Sequence, residues 1–162
     1  MEMKRVLTVE QMRLVSELAY EYFPIYYDYV NPQHVQDYLG KYQSVSAIQA
    51  QIDQGFDYRL IFNANKVIGY LGLEIQEEAV NISKIYFHPN HTRKGFGKQT
   101  LHWIKEKAVQ LHKKQIVLHV MPENKAAIRF YKNNDFVITG ERHEEFESGA
   151  KEMNYVMVHP LK

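Results

Sequence analysis

The run His88-Pro89-Asn90-His91-Thr92-Arg93-Lys94-Gly95-Phe96-Gly97-Lys98 holds the residue types and spacing best suited to chemistry in this chain. Arg93, Lys94 and Lys98 put three cations within six residues, and Gly95 and Gly97 carry no Cβ to keep a ligand off the backbone. An apolar run, Ile82 to Phe87, precedes it and reads as a strand; Leu101, Ile104, Ala108 and Leu111 follow at helical spacing. A helix N-terminus leaves backbone N–H groups without intrahelical partners, and its dipole adds partial positive charge. A phosphate is held under those conditions. The expectation is a pyrophosphate-binding turn, with a solvated basic turn as the plain alternative. The third glycine and downstream acid of a dinucleotide fold are missing, and the spacing is not that of a P-loop.

About thirty residues later comes Asn124-Lys125-Ala126-Ala127-Ile128-Arg129-Phe130-Tyr131-Lys132-Asn133-Asn134-Asp135-Phe136. Asn124 is a good helix cap after Pro122, and Ala127, Phe130 and Tyr131 would form the inner face of that helix. An isolated tyrosine at such a position reads as a core aromatic.

The elements that must position these groups follow from periodicity. Met3 to Leu7 reads as a strand, and Thr8 caps a helix from Val9 to about Tyr22 whose stripe is Met12, Val15, Leu18 and Tyr22, with Pro24 ending it. Asn31-Pro32 starts a second helix carrying Val35, Tyr38 and Leu39 and stopping near Gly40; a third runs from about Ser46 to Gln54. Tyr58, Leu60 and Phe62 alternate as a strand, Asn63 to Lys66 turns, and Val67 to Leu73 is its hairpin partner. Val80 to Phe87, Gln115 to Met121, Phe136 to Thr139 and Asn154 to Val158 complete the strands, the last two around the polar segment Glu141 to Lys151. This mixture is α+β (mixed α/β), a mostly antiparallel mixed sheet of about six to seven strands flanked by helices. No repeat, linker or composition shift marks a boundary, so residues 1–162 read as one domain.

Composition narrows the function. Lys plus Arg number 20 against 19 Asp plus Glu, a formal charge of +1, which offers no basic excess for nucleic acid. No apolar run approaches the ~20 residues that span a bilayer, and Met1-Glu2-Met3-Lys4-Arg5 leads into a strand-like segment rather than a signal peptide. A cytoplasmic protein without a membrane partner is expected. Cysteine is absent, which excludes disulfides and thiol catalysis. Metal is not expected: His88 and His91 flank a proline-containing loop with no third ligand in register.

Together the two motifs resemble the GNAT superfamily of acetyl-coenzyme A-dependent N-acetyltransferases, over roughly residues 56 to 160. The family's Q/R-x-x-G-x-G/A pattern matches Thr92 to Gly97, and its N-x-x-A-x-x-F-Y-x-x-x-G-F pattern matches Asn124, Ala127, Phe130, Tyr131 and Phe136. The resemblance implies a GNAT-like fold with acetyl-coenzyme A as co-substrate. It implies that the main chain from Thr92 through Arg93, Lys94, Gly95, Phe96, Gly97 and Lys98 binds the pyrophosphate. Ile85, Tyr86 and Phe87 would pair with the pantetheine arm, Asn124 would contact it or cap its helix, and Tyr131 would protonate the departing thiolate.

Three positions depart from the pattern. Thr92 stands where Arg or Gln is usual, so Arg93 would take over that side-chain contact or it is lost. Asp135 replaces a glycine, and Asp is among the better substitutes if φ is positive there. Ser83 stands where many members carry a Glu general base, leaving Glu74, His88 or a chain of waters.

Acetyl transfer needs a neutral amine, a polarised thioester carbonyl and a proton for sulfur. An amine of pKa near 10.4 costs about 4 to 5 kcal/mol to deprotonate at pH 7. A tyrosine hydroxyl is still protonated at that pH and can donate. The spacing looks most like bacterial spermine/spermidine-type or other small-amine members, so a small-molecule amine is the expected acceptor. Tyr20, Tyr22, Tyr26, Tyr27, Tyr29, Tyr38 and Tyr42 lie among Glu17, Glu21 and Asp28, and Glu144, Glu145 and Glu147 cluster later. Tyrosine faces attract cations by ~0.5 to 2 kcal/mol; helix packing and a solvated acidic face are the plain readings. A protein N-terminus as acceptor, and a non-catalytic acyl-coenzyme A sensor, are the other readings. A homodimer is compatible with either.

Overall fold

Thr8 closes a capping box: its Oγ1 accepts from the Gln11 N–H at 3.2 Å while the Gln11 side chain accepts from the Thr8 N–H at 3.0 Å. The helix it starts, α1 (Val9–Tyr26), buries the expected stripe of Met12, Val15, Leu18 and Tyr22. The computed structural model describes residues 1–162, which form two compact units. One comprises Met1–Glu74 and Lys84–Thr100, the other Ile75–Ser83 and Leu101–Lys162.

The first unit holds β1 (Glu2–Arg5), α1, α2 (Pro32–Tyr42), α3 (Val45–Asp53), β2 (Asp57–Asn63), nearly all of β3 (Lys66–Ile75) and the end of β4 (Ala79–Phe87). β1 and β2 pair antiparallel from Glu2↔Phe62 to Arg5↔Arg59, and β2 and β3 from Asp57↔Leu73 to Asn63↔Lys66. Pro24 does not end α1. A proline near a helix end removes one N–H bond, and the turn beyond it is held by the Tyr27 N–H to the Phe23 carbonyl at 2.9 Å and by buried Tyr22 and Phe23. Gly40 likewise lies inside α2, which runs on because its C-cap, Gln43, is locked in place. α3 starts one turn position earlier than expected, with Ser44 Oγ accepting from the Ala47 N–H at 3.2 Å.

Gln43 is fully buried and ties this unit together. Its Oε1 accepts from the Tyr70 hydroxyl at 2.6 Å, its Nε2 donates to the Tyr58 hydroxyl at 3.0 Å, and its carbonyl accepts from Ser16 Oγ at 2.7 Å. The Tyr58 hydroxyl donates in turn to Gln51. Burial pushes the Tyr22, Tyr58 and Tyr70 hydroxyls above their ordinary range, so they remain neutral donors. A Gln43→Leu substitution keeps the volume but leaves the Tyr70 hydroxyl without its acceptor. It should lower unfolding free energy by about 1 to 3 kcal/mol, read from the denaturant midpoint; an unchanged midpoint would show the network to be dispensable.

The second unit holds the start of β4, most of α4 (Phe96–Gln110), β5 (Gln115–Val120), α5 (Lys125–Lys132), β6 (Val137–Glu145) and β7 (Lys151–Pro160). β4 and β5 pair in parallel from Ala79↔Gln115 to Ile82↔Leu118. β5 pairs antiparallel with β7, and β7 with β6. β6 and β7 reach further into the polar segment Glu141 to Lys151 than expected, joined to Glu145↔Lys151 around buried Phe146. Asp135 adopts φ 72°, the left-handed conformation in which Asp is among the better substitutes for glycine. The seven strands run β1-β2-β3-β4-β5-β7-β6 in one sheet, mostly antiparallel, with five helices, as an α+β fold. No helix is long and apolar enough to cross a membrane.

Candidate active site

β4 hands over to the loop at Phe87, and the His88 N–H still bonds across to the Ile68 carbonyl of β3 at 2.8 Å. A short 3-10 turn, Pro89–His91, follows, capped by His88 Nδ1, which accepts from the Asn90 N–H at 3.1 Å. The Thr92 hydroxyl donates back to the Pro89 carbonyl at 3.0 Å. Its side chain therefore braces the loop, and its N–H also turns back to the Pro89 carbonyl, at 3.5 Å. Arg93 at φ 60° and Gly95 at φ 83° are both left-handed. No heavy atom lies within 4 Å of a Cβ built on Gly95, so its conformation, not space, calls for glycine.

α4 begins at Phe96, earlier than the apolar stripe alone implies, so Gly97 and Lys98 lie in its first turn. The Gln99 N–H takes the Gly95 carbonyl at 3.1 Å, which leaves the N–H groups of Phe96, Gly97 and Lys98 outside the helical ladder. Exposed Arg93, Lys94 and Lys98 surround that end. Desolvation, with Lys94, His88 and Lys66 nearby, holds His91 below the usual imidazole range, so it adds no charge at neutral pH.

The end of β4 is tied to α1. The Tyr26 hydroxyl donates to the Phe87 carbonyl at 2.5 Å, and the Tyr27 and Tyr86 hydroxyls share a 2.6 Å bond. Burial raises the Tyr26 and Tyr86 pKa values, which keeps both protonated. His88 Nε2 lies 3.6 Å from the Glu21 carboxylate. Because Nδ1 accepts from a backbone N–H, the neutral ring carries its proton on Nε2 and has no lone pair to spare. His88 would have to abandon its cap to act as a base.

Of the early tyrosines, Tyr22 is core, and the Lys84 ammonium lies 5.3 Å from the Tyr38 ring centroid. That face already holds a cation. The Lys41 ammonium likewise lies 5.0 Å from the Tyr42 ring centroid, and Tyr20 is exposed. Tyr27 and Tyr29, with ring centroids 6.1 Å apart, lie on the stretch that also carries Glu21 and Asp28. Glu144, Glu145 and Glu147 belong to the other unit, on β6 and its turn.

Asn124 and Tyr131 also lie in the second unit, on α5. Asn124 Oδ1 accepts from the Ala127 N–H at 3.3 Å, which makes it the helix cap. Tyr131 is 8 % exposed and packs edge-on to Phe130 and Phe136, at 5.2 and 5.4 Å between centroids. Ile85, Tyr86, Phe87 and the loop through Lys98 thus fall together in one unit. The sequence places Tyr26 only in the tyrosine cluster; its bond to Phe87 depends on α1 continuing past Pro24, where the helix was expected to stop.

A profile of the acetyltransferase (GNAT) family matches residues 15–136. Among solved structures, the PaiA N-acetyltransferase of Thermoplasma acidophilum in complex with coenzyme A is 18% identical, with a TM-score of 0.78 over 99% of this chain and 100% of that one. A GNAT family acetyltransferase of Elizabethkingia anophelis with acetyl-coenzyme A bound is 20% identical, with a TM-score of 0.61 over 73% and 84%. The ribosomal-protein-S18-alanine N-acetyltransferase of Escherichia coli is 17% identical, with a TM-score of 0.63 over 74% and 77%. Identities this low speak to the fold; the family profile covers most of the chain. This chain belongs to the GNAT acetyltransferase family.

Proposed function

We propose that the protein is an acetyl-coenzyme A-dependent N-acetyltransferase acting on a primary amine, a small amine or polyamine. The observation that carries this is the start of α4, where left-handed Gly95 delivers free N–H groups and three cations to one place. A pyrophosphate fits that donor set. Acetyl-coenzyme A supplies an acetyl group activated as a thioester. The main chain from Thr92 to Lys98 binds its diphosphate, and the main chain of Ile85, Tyr86 and Phe87 aligns its pantetheine arm. Backbone N–H groups near Phe87 polarise the thioester carbonyl. Asn124 caps α5 and with it supports Tyr131, whose hydroxyl gives its proton to the sulfur as the thiol leaves.

The attacking amine must first lose a proton. His88 is a poor acceptor while Nδ1 serves as a cap, which leaves Glu21 or Glu74, reached through water. Tyr27, Tyr29, Glu21 and Asp28 supply aromatic faces and negative charge that suit an acceptor with several ammonium groups.

Thiol release from acetyl-coenzyme A, followed over a panel of spermidine, spermine, simple monoamines and a peptide beginning with alanine, tests this reading. Spermidine or spermine should show the highest kcat/KM. Preference for the peptide would move the assignment to a protein N-terminus. Tight coenzyme A binding with no turnover on any amine would make the protein an acyl-coenzyme A sensor.

A further inference from the structure

Gly69 lies in β3 beside the end of β4. A Cβ built on it would stand 2.3 Å from the Tyr86 carbonyl oxygen, 3.0 Å from Phe87 Cδ1 and 3.1 Å from Phe87 Cα. Two of those three atoms are backbone, so no rotamer change relieves the clash. The end of β4 therefore lies closer to β3 than any other residue at position 69 allows. Gly72, three residues on, meets only the Tyr58 ring, at 2.9 Å, and a ring can shift.

The His88 N–H to Ile68 bond turns His88, and by strand alternation Tyr86, toward β3. The main-chain groups of Ile85 and Phe87 then face the opposite edge. They lie beyond Ile82↔Leu118, where the parallel pairing of β4 with β5 ends. At that edge the Phe87 carbonyl receives the Tyr26 hydroxyl, and its second lone pair stays available.

We propose that Gly69 and Tyr26 are positioning residues for the acyl donor. Gly69 lets the end of β4 settle against β3, and the Tyr26 hydroxyl holds the Phe87 carbonyl in place. Together they present the main-chain groups of Ile85 and Phe87 as a fixed hydrogen-bonding edge for the amide-containing arm of the donor. This inference rests on the acetyltransferase reading of the same strand. A methyl group at position 69 has to move the β4 backbone by about 1 Å to reach ordinary contact, and a displacement of that size costs up to about 100-fold in rate.

The test compares Gly69→Ala, Tyr26→Phe and Gly72→Ala by thermal melting, coenzyme A calorimetry, and steady-state kinetics with donor and acceptor varied separately. Gly69→Ala should lower kcat/KM for acetyl-coenzyme A by about 10- to 100-fold and Tyr26→Phe by about 10-fold, each with the acceptor KM unchanged. Gly72→Ala should lower the melting temperature and leave the donor KM alone. A purely structural role for Gly69 would make the two glycine variants behave alike. If Gly69→Ala does not fold, Tyr26→Phe decides alone: wild-type donor kinetics overturn the proposal. A wild-type protein that does not bind coenzyme A would instead overturn the functional reading beneath it.

Discussion

Replacing Gly95 with glutamate should weaken coenzyme A binding by about 100-fold or more. Two effects of the new side chain act together. Its carboxylate would sit at the N-terminus of α4, over the N–H groups of Phe96, Gly97 and Lys98, and occupy the place the diphosphate needs. It would also repel that diphosphate at a distance of a few Å, where a like charge costs several kcal/mol at an effective dielectric near 20. The fold should survive, because the surrounding space is open and a negative charge at a helix N-terminus is favourable. The residual penalty is backbone strain at φ 83°, of roughly 1 to 2 kcal/mol. Gly95→Ala isolates that strain and should cost far less affinity. Calorimetric titration with coenzyme A checks both; a Gly95→Glu protein that binds normally would remove the diphosphate from this turn.

Tyr131→Phe should lower turnover by about 100- to 10,000-fold, the range of a lost general acid, with coenzyme A affinity nearly unchanged. The substitution deletes one oxygen and keeps the ring, so the edge-on packing against Phe130 and Phe136 persists. A near-native melting temperature would establish that the loss is chemical. Unchanged turnover would take Tyr131 out of the mechanism and return it to the role of a core aromatic.

Much of the candidate site is legible because it is local. A strand, a basic glycine-containing turn and a helix are contiguous, and Asp135 stands at a motif glycine position where its φ is indeed positive. The Asn124 cap needs nothing beyond four consecutive residues. What stays hidden depends on distant partners. The course of α1 past Pro24 is settled by contacts that Tyr26 and Tyr27 make some sixty residues away on β4. Gly69 reads as one more strand glycine until the Tyr86 carbonyl is seen against it. β6 is exposed along almost its whole length, so its continuation past Thr139 to Glu145 carries no apolar alternation and comes from its register with β7. Nothing in the order of residues shows that the His88 lone pair is already taken by Asn90.

The tyrosines divide in the same way. Their number draws the eye to a cation site, yet Tyr22, Tyr58 and Tyr70 are buried in the core, the last two hydrogen-bonded to Gln43. Packing accounts for these three, and the acceptor reading rests on Tyr27 and Tyr29 beside Glu21 and Asp28.

The central claim, amine acetylation from acetyl-coenzyme A, is tested most directly by mass spectrometry of spermidine incubated with the protein and acetyl-coenzyme A, with free thiol counted in parallel. The account predicts mono-acetylated spermidine and one equivalent of thiol per acetyl group transferred. Unmodified spermidine and every other amine left unmodified, while coenzyme A binds tightly, would contradict it.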